Sequence, residues 1–370
     1  MKKAMPDLLA ALCLCLFLAT GTSARQSPTF TTFDVPGAGT GVEQGTYASG
    51  INTGGIIAGH YVDASGVSHG LVRDPSGAIV TFDAPRAATD ADTGTSAYSI
   101  NTAGTVAGTY IGRNLVNHGF VRASSGAITS FDAPGAGTSA SGGTLAQTIN
   151  AAGAIAGFYL AWGGPDHGFV RAASGAITTF DVPDAGTGFL QGTHPLSINA
   201  GGAITGYYVD ASNVYHGFVR TANGTITTFD APGAGSASYQ GTRPQSINEA
   251  GSIAGYYWDS NTVYHGFVAP PSGAITTFEA PGAGAGDFEG TVAIGINAAG
   301  FIVGYTYDAK DASVGFLRGA KNGGIANFRA PGAGTGEEQG TLPISINEAG
   351  TTAGYYYDAS RMAHGFQMTP

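Results

Sequence analysis

Cysteine is almost missing from this chain: of 370 residues only Cys13 and Cys15 carry a thiol. Both fall within the first 24 residues, so the stretch 25–370 can form no disulfide and offers no thiolate to a metal or a substrate. Charge is also scarce. Lys and Arg total 15 against 25 acidic residues, a formal net charge of −10. No basic cluster interrupts that balance, which excludes nucleic acid and anionic membrane surfaces as natural partners. Helical periodicity is absent beyond the first 24 residues, and no apolar run reaches the ~20 residues that a spanning helix needs. The HExxH, DxDxDG and GxSxG patterns do not occur, and strings such as Gly233-Ala234-Gly235 open no helix that would cradle phosphate. No catalytic residue and no metal ligand set is therefore assigned. Asp90-Ala91-Asp92, the nearest thing to a Ca²⁺ loop, is a weak candidate, and no cofactor is expected.

Glycine, by contrast, is abundant at 61 residues, accompanied by 19 Phe and 17 Tyr. That mixture is foreign to a disordered linker and fits many short strands joined by tight turns. The start reads differently. Lys2 and Lys3 precede a mostly apolar stretch at 8–20, followed by Thr22, Ser23 and Ala24. This is the layout of a secretory signal peptide over 1–24, so the chain is expected to be exported, to periplasm or medium, with no membrane span in its mature form. Residues 25–370 are expected to form a single domain.

That domain is one unit copied. The Phe of an FD(A/V)P signature falls at Phe33, Phe82, Phe131, Phe180, Phe229, Phe278 and Phe328, with spacings of 49 five times and then 50. An (S/G/T)IN signature ends at Asn52, Asn101, Asn150, Asn199, Asn248, Asn297 and Asn347. An HG(F/L) signature begins at His69, His118, His167, His216, His265 and His364, with Val314 substituting once. Each copy carries four strand-like runs: one ending at the Asn, one after an Asn-x-x-Gly turn, one opened by the His, and one ending before the Pro. The third and fourth are joined by a three-residue hairpin with Gly where a left-handed conformation is needed. Four antiparallel strands per ~49 residues predict an all-β, seven-bladed β-propeller; a parallel β-helix is the alternative. The chain opens on a lone fourth strand and ends on a third strand lacking its fourth. The N-terminal strand is thus expected to complete the last blade and close the ring.

The 14-residue spacing from the His to the acid of FD predicts cross-strand pairs His69/Asp83, His118/Asp132, His167/Asp181, His216/Asp230 and His265/Glu279. Closure adds His364/Asp34. Copy six has Val314 and Arg329 in those places. Such pairs read as staples within each copy; a catalytic dyad present six times over is implausible. Ligand chemistry belongs instead on the face with the longer loops. There Asp63, Asp210, Asp259, Asp308 and Asp358, with Trp162, Tyr215 and Tyr264, are candidates to line sugar-binding clefts, a carboxylate taking hydroxyls and an aromatic face covering the ring. The competing reading is that the Asp residues only hold their own loops. Departures from the repeat (His60, residues 111–114, Trp162 to Asp166, His194, Arg243, Val314 and Arg329) mark where a central funnel site would sit.

The HGFV, SIN.AG.I.GYY.D and FDAPGAGT strings resemble bacterial secreted repeat proteins of the HAF type across essentially all of the mature chain, although the motif here is mostly HGF. The resemblance implies an extracellular repeat protein without an established activity and brings no catalytic residues. Together these readings favour a secreted, non-enzymatic binding or scaffold module, expected to be a monomer, with multivalent glycan or cell-surface contact as its sharpest form. The alternatives are a polysaccharide lyase or hydrolase with a site in the funnel, and a purely structural surface protein.

Overall fold

The computed structural model describes residues 28–161 and 163–370; the expected signal peptide and Trp162 lie outside them. Twenty-eight strands run from Thr29–Phe33 to Ala363–Thr369, with no helix among the described residues. A representative unit comprises a first strand Gly192–Ile198, a second Ile204–Val209, a third Tyr215–Arg220 and a fourth Ile226–Phe229, paired antiparallel in that order. Each Asn-x-x-Gly turn closes with a bond such as Gly202 N–H to Asn199 O at 3.0 Å.

The signatures have physical reasons. In the third strand the Phe of HG(F/L) is the core: Phe120, Phe169, Phe218, Phe267, Phe316 and Phe366 are fully buried, with Leu71 in the first unit. The glycine before it lies opposite the Phe of FD, as in Gly217↔Phe229. Any Cβ there would collide with that ring, so glycine lets the fourth-strand aromatic lie flat across the third strand. The Thr of QGT is buried and accepts a hydrogen bond from the backbone two residues after the preceding FD Phe, Thr193 Oγ1 from Val182 N at 2.9 Å and likewise in all seven units.

The expectation of a seven-bladed propeller requires correction. In that architecture each four-stranded sheet is hydrogen-bonded within itself. Here all strands belong to one 28-stranded sheet. The third strand of each unit pairs in parallel with the first strand of the next, Ser68↔Gly94, Asn117↔Gly143, Asp166↔Gly192, Tyr215↔Gly241, Tyr264↔Gly290, Ser313↔Gly340 and Ala363↔Gly45. Backbone bonds of 2.7–2.9 Å cross each junction, for instance Asp166 N–H to Gln191 O. The result is a closed mixed barrel of 21 strands, with the seven fourth strands attached outside. The QGT glycines cause it. They adopt φ between 107° and 121°, where L side chains are strained, and a Cβ would overlap a carbonyl of the neighbouring third strand. Only glycine lets adjacent units approach closely enough to bond.

Two belts reinforce the closure. Each signature Asn is buried, and its Nδ2 donates to the backbone carbonyl of the next Asn, from Asn52 round to Asn347 and back to Asn52, at 3.0–3.1 Å. Its Oδ1 meanwhile accepts from its own turn, as Ala203 N does at 2.9 Å. Further out, the Arg ending a third strand lies over the FD Phe of the preceding unit. Arg73 over Phe33, Arg122 over Phe82, Arg171 over Phe131, Arg220 over Phe180 and Arg318 over Phe278 all sit 4.7–4.9 Å from the ring centroid. Such contacts contribute about 0.5–1 kcal/mol each when exposed. Ala269 and Met368 occupy the two remaining positions. The chain ends meet through Thr29–Phe33, antiparallel to Ala363–Thr369 with Phe33 opposite Gly365.

Candidate binding site

The six His–acid pairs meet. Nδ1 lies 2.9 Å from Asp83 at His69, 2.8 Å from Asp132 at His118, 2.9 Å from Asp181 at His167, 3.0 Å from Asp230 at His216 and 2.9 Å from Asp34 at His364; His265 reaches Glu279 in the same way. A carboxylate only accepts, so Nδ1 carries the proton. Each imidazole also stacks on the second-strand Tyr beside it, Tyr61, Tyr110, Tyr159, Tyr208, Tyr257 or Tyr356, with centroids 4.8–5.0 Å apart. In four units the far nitrogen faces a loop acid: Nε2 is 3.5 Å from Asp63 at His69, 3.6 Å from Asp210 at His216, 3.6 Å from Asp259 at His265 and 3.5 Å from Asp358 at His364. In the sixth unit Arg329 enters from the opposite strand and places its guanidinium 3.6 Å from Asp308. A nitrogen facing the loop acid survives there although the His is lost.

These loop acids are therefore committed internally. Oδ1 of Asp63, Asp210, Asp259, Asp308 and Asp358 each accepts two backbone N–H groups of its own loop, as Asp210 does from Ser212 and Val214, both at 2.8 Å, and Oδ2 faces the imidazole or, at Asp308, the guanidinium. Those backbone bonds, with the His, hold the carboxyls of Asp63, Asp259 and Asp358 below the usual range despite partial desolvation. The His216 pKa is raised, chiefly by its bond to Asp230, with burial opposing. A group raised on folding stabilises fully below its unfolded pKa of ~6.5, and that stabilisation is lost as pH rises through the folded value. A double-mutant cycle of His216→Ala and Asp230→Ala, read by guanidinium denaturation, is expected to give a coupling of about 0.5–1 kcal/mol at pH 5.5 and a smaller one at pH 9. Additive losses at both pH values would remove the pairing.

Three of the repeat-breaking residues converge. His194 stacks on Tyr207 at 4.6 Å and its Nε2 is 3.3 Å from Asp166 Oδ2. Arg243 lies on the other face of Tyr207 at 4.3 Å and also against Tyr215, Tyr256 and Trp258 at 5.2–5.9 Å. Burial pushes the Asp166 carboxyl up to about 7 and the His194 imidazole down to about 3, with the Arg243 charge adding to the latter. Burial thus disfavours the charged form of both groups. None of the three lines the open cleft described below; with Phe158, Tyr207 and Tyr215 they form part of an aromatic belt. His60 joins the same belt, stacked on Tyr47 at 5.0 Å.

The long-loop face holds an open cleft of about 340 Å³. Phe288, 60% exposed, forms one lip. Tyr264, Tyr307, Tyr357 and Leu342 form the walls, and Glu43, Asp311, Glu338 and Arg361 the rim. Each lip residue sits at the tip of the loop entering a unit in a left-handed conformation, Glu43 at φ 59°, Phe288 at 61° and Glu338 at 55°. Each tip is tied by its N–H to the preceding unit, Phe288 to Thr262 O at 3.0 Å, Glu338 to Asp311 O at 3.1 Å and Glu43 to Arg361 O at 2.9 Å. Arg361 Nη2 spans Glu43 at 2.7 Å and Glu338 at 2.6 Å. Burial raises the Tyr357 and Tyr264 pKa, the latter to about 12, so both hydroxyls remain donors. Of the residues expected from sequence, only Tyr264 lines this cleft; Tyr215 packs on Trp258 at 5.3 Å. The others were legible only as drift within columns of the repeat: Tyr307 and Tyr357 stand where earlier units have Val62, Ile111 and Leu160. No group of three or more metal-ligating side chains occurs among the described residues, and no helix long and apolar enough to cross a membrane is found among them.

No protein-family model matches the chain, and no curated protein matches it. Solved structures do. The chain is similar to the BP39L lectin from Burkholderia pseudomallei, with a TM-score of 0.57 and 9% identity over 86% of this chain and 94% of that one. It is similar to a prolyl endopeptidase at a TM-score of 0.51 and 10% identity, covering 85% of this chain and 46% of the other. TolB from Acinetobacter baumannii gives 0.49 at 14% identity over 74% of this chain and 63% of TolB. At these identities the likeness concerns the fold alone. An all-β repeat fold with a preformed surface cleft is compatible with a binding module.

Proposed function

We propose that this chain is a secreted glycan-binding module, a member of the HAF-type extracellular repeat proteins, and that the cleft between Phe288, Tyr307 and Tyr357 is its binding site. The observation that carries this reading is the exposed Phe288 ring set opposite tyrosine hydroxyls and carboxylates. An aromatic face covers the apolar side of a sugar while the polar groups take its hydroxyls. The backbone bonds at the loop tips order the lips in advance, which lowers the entropy lost on binding. Export is supported by the basic, then apolar, then small-residue start of the sequence, and family membership by the recurrent HGF, SIN and FDAP strings. The lectin among the structural neighbours is compatible with the reading. Aromatic residues gather in one sector and do not recur in all seven units, so one principal site replaces the seven similar ones expected from the repeats.

A glycan array followed by titration calorimetry tests it. Phe288→Ala is expected to weaken binding of the best array ligand by about tenfold or more, on the order of 1.4 kcal/mol, with the denaturation midpoint unchanged. An array without a single binder, or wild-type affinity in the variant, would sink the assignment.

A further inference from the structure

We propose that the cleft selects amino sugars, its ligand being a hexosamine unit whose free amine is protonated; this rests on the glycan-binding reading above. The charges around the cavity argue for it. Three carboxylates, Glu43, Asp311 and Glu338, line the cavity with a single guanidinium, Arg361. Arg361 is shared between Glu43 and Glu338, so its one positive charge offsets half of theirs. Asp311 takes part in no ion pair among the described residues, and its carboxylate stands beside Tyr307. The cavity is left about two charges negative. Its walls push the same way, because Phe288, Tyr264, Tyr307 and Tyr357 line the cavity and a ring face that meets an entering cation attracts it. An ammonium gains from both terms, whereas the carboxylate of a uronic acid or a sulfate ester would be repelled by both. A neutral sugar would use Phe288 but leave Asp311 without a counter-charge. A lysine side chain offers the ammonium without a ring to cover Phe288, and it loses more rotamer freedom when fixed.

The rest of the chain does not mimic this balance. Among the seven loop tips, Phe288 is flanked by Tyr239 on one side and Glu338 on the other, so the aromatic and acidic sectors of the face meet at this cleft. The Asp210-type acids elsewhere are spent on their own loops and a histidine, as described.

The test is titration calorimetry of the full chain with four hexasaccharides: glucosamine, N-acetylglucosamine, cellohexaose and galacturonate. The glucosamine oligomer is expected to bind at least about tenfold more tightly than its N-acetylated form, and galacturonate not at all. Asp311→Asn is expected to abolish that preference, so that the glucosamine and N-acetylglucosamine oligomers bind alike, whereas Asp74→Asn, on the short-turn face, changes nothing. Glu338→Gln, which leaves Arg361 paired with Glu43, provides a second variant should Asp311→Asn lower the denaturation midpoint. Equal or tighter binding of cellohexaose or the N-acetylated oligomer would overturn the amine preference and leave the glycan reading standing. Failure of every saccharide, on the array as well, would overturn the glycan reading itself. Equal binding of hexalysine, lost in Asp311→Asn, would show that the cleft reads ammonium without the sugar, and the proposal would fall.

Discussion

Replacing Asn199 by alanine is expected to destabilise the protein by roughly 1–3 kcal/mol, read as a lower guanidinium midpoint. The side chain makes two hydrogen bonds, a buried one from Nδ2 to Asn248 O at 3.1 Å and a half-buried one to Oδ1 from Ala203 N at 2.9 Å. Truncation leaves the Ala203 N–H without its partner, at about 1–3 kcal/mol, and removes one of the two donors to Asn248 O, which keeps the Gly251 N–H at 2.9 Å. Asn199→Asp should be worse, because a carboxylate cannot donate to Asn248 O and would turn a lone pair towards it. The exposed hairpin residue Asn223 serves as the control, since its bonds to Thr221 and Thr225 lie at the surface. A change at Asn199 no larger than at Asn223 would show that the Asn belt is incidental to stability.

Deleting residues 29–36 is expected to lower the melting temperature by on the order of 10 °C and to produce oligomers on light scattering. The segment supplies the strand opposite Ala363–Thr369, the Asp34 partner of His364 and the Phe33 ring beneath Arg73. It also supplies Val35 N–H, which donates to the buried Thr46 hydroxyl at 3.0 Å. Without it the final third strand becomes an open edge with unpaired N–H and C=O groups, a template for another chain. A monomer with an unchanged melting curve would mean that these terminal contacts add nothing to closure.

Much of this architecture could be read before any coordinates. Strand count per unit, the Asn-x-x-Gly and hairpin turns, and the His–acid register all follow from local spacing, because hairpins set register over a few residues. The relation between units did not follow. It depends on one glycine per copy, in QGT, whose left-handed backbone and missing Cβ let neighbouring third and first strands bond. In the string it looked like one more turn glycine, so independent blades were expected where a continuous barrel forms. The signature Asn was likewise read as a turn residue alone, since its second bond reaches a carbonyl 49 residues away. The cleft was the least legible part. Tyr264 was singled out, but Phe288, Asp311 and Arg361 are brought together from loops of different copies, and no single copy contains the set.

The loop tips carry one more implication, for how such a chain can change its partner. Seven residues share one left-handed backbone slot, and they are chemically unrelated: Glu43, Asp92, Ser141, Leu190, Tyr239, Phe288 and Glu338. A slot that already tolerates acid, hydroxyl, aliphatic and aromatic groups on an unchanged scaffold is a row of replaceable fingertips. Swapping the residue at one of them rewrites what the surface touches while the barrel beneath stays as it was, so new specificity is reachable by single steps.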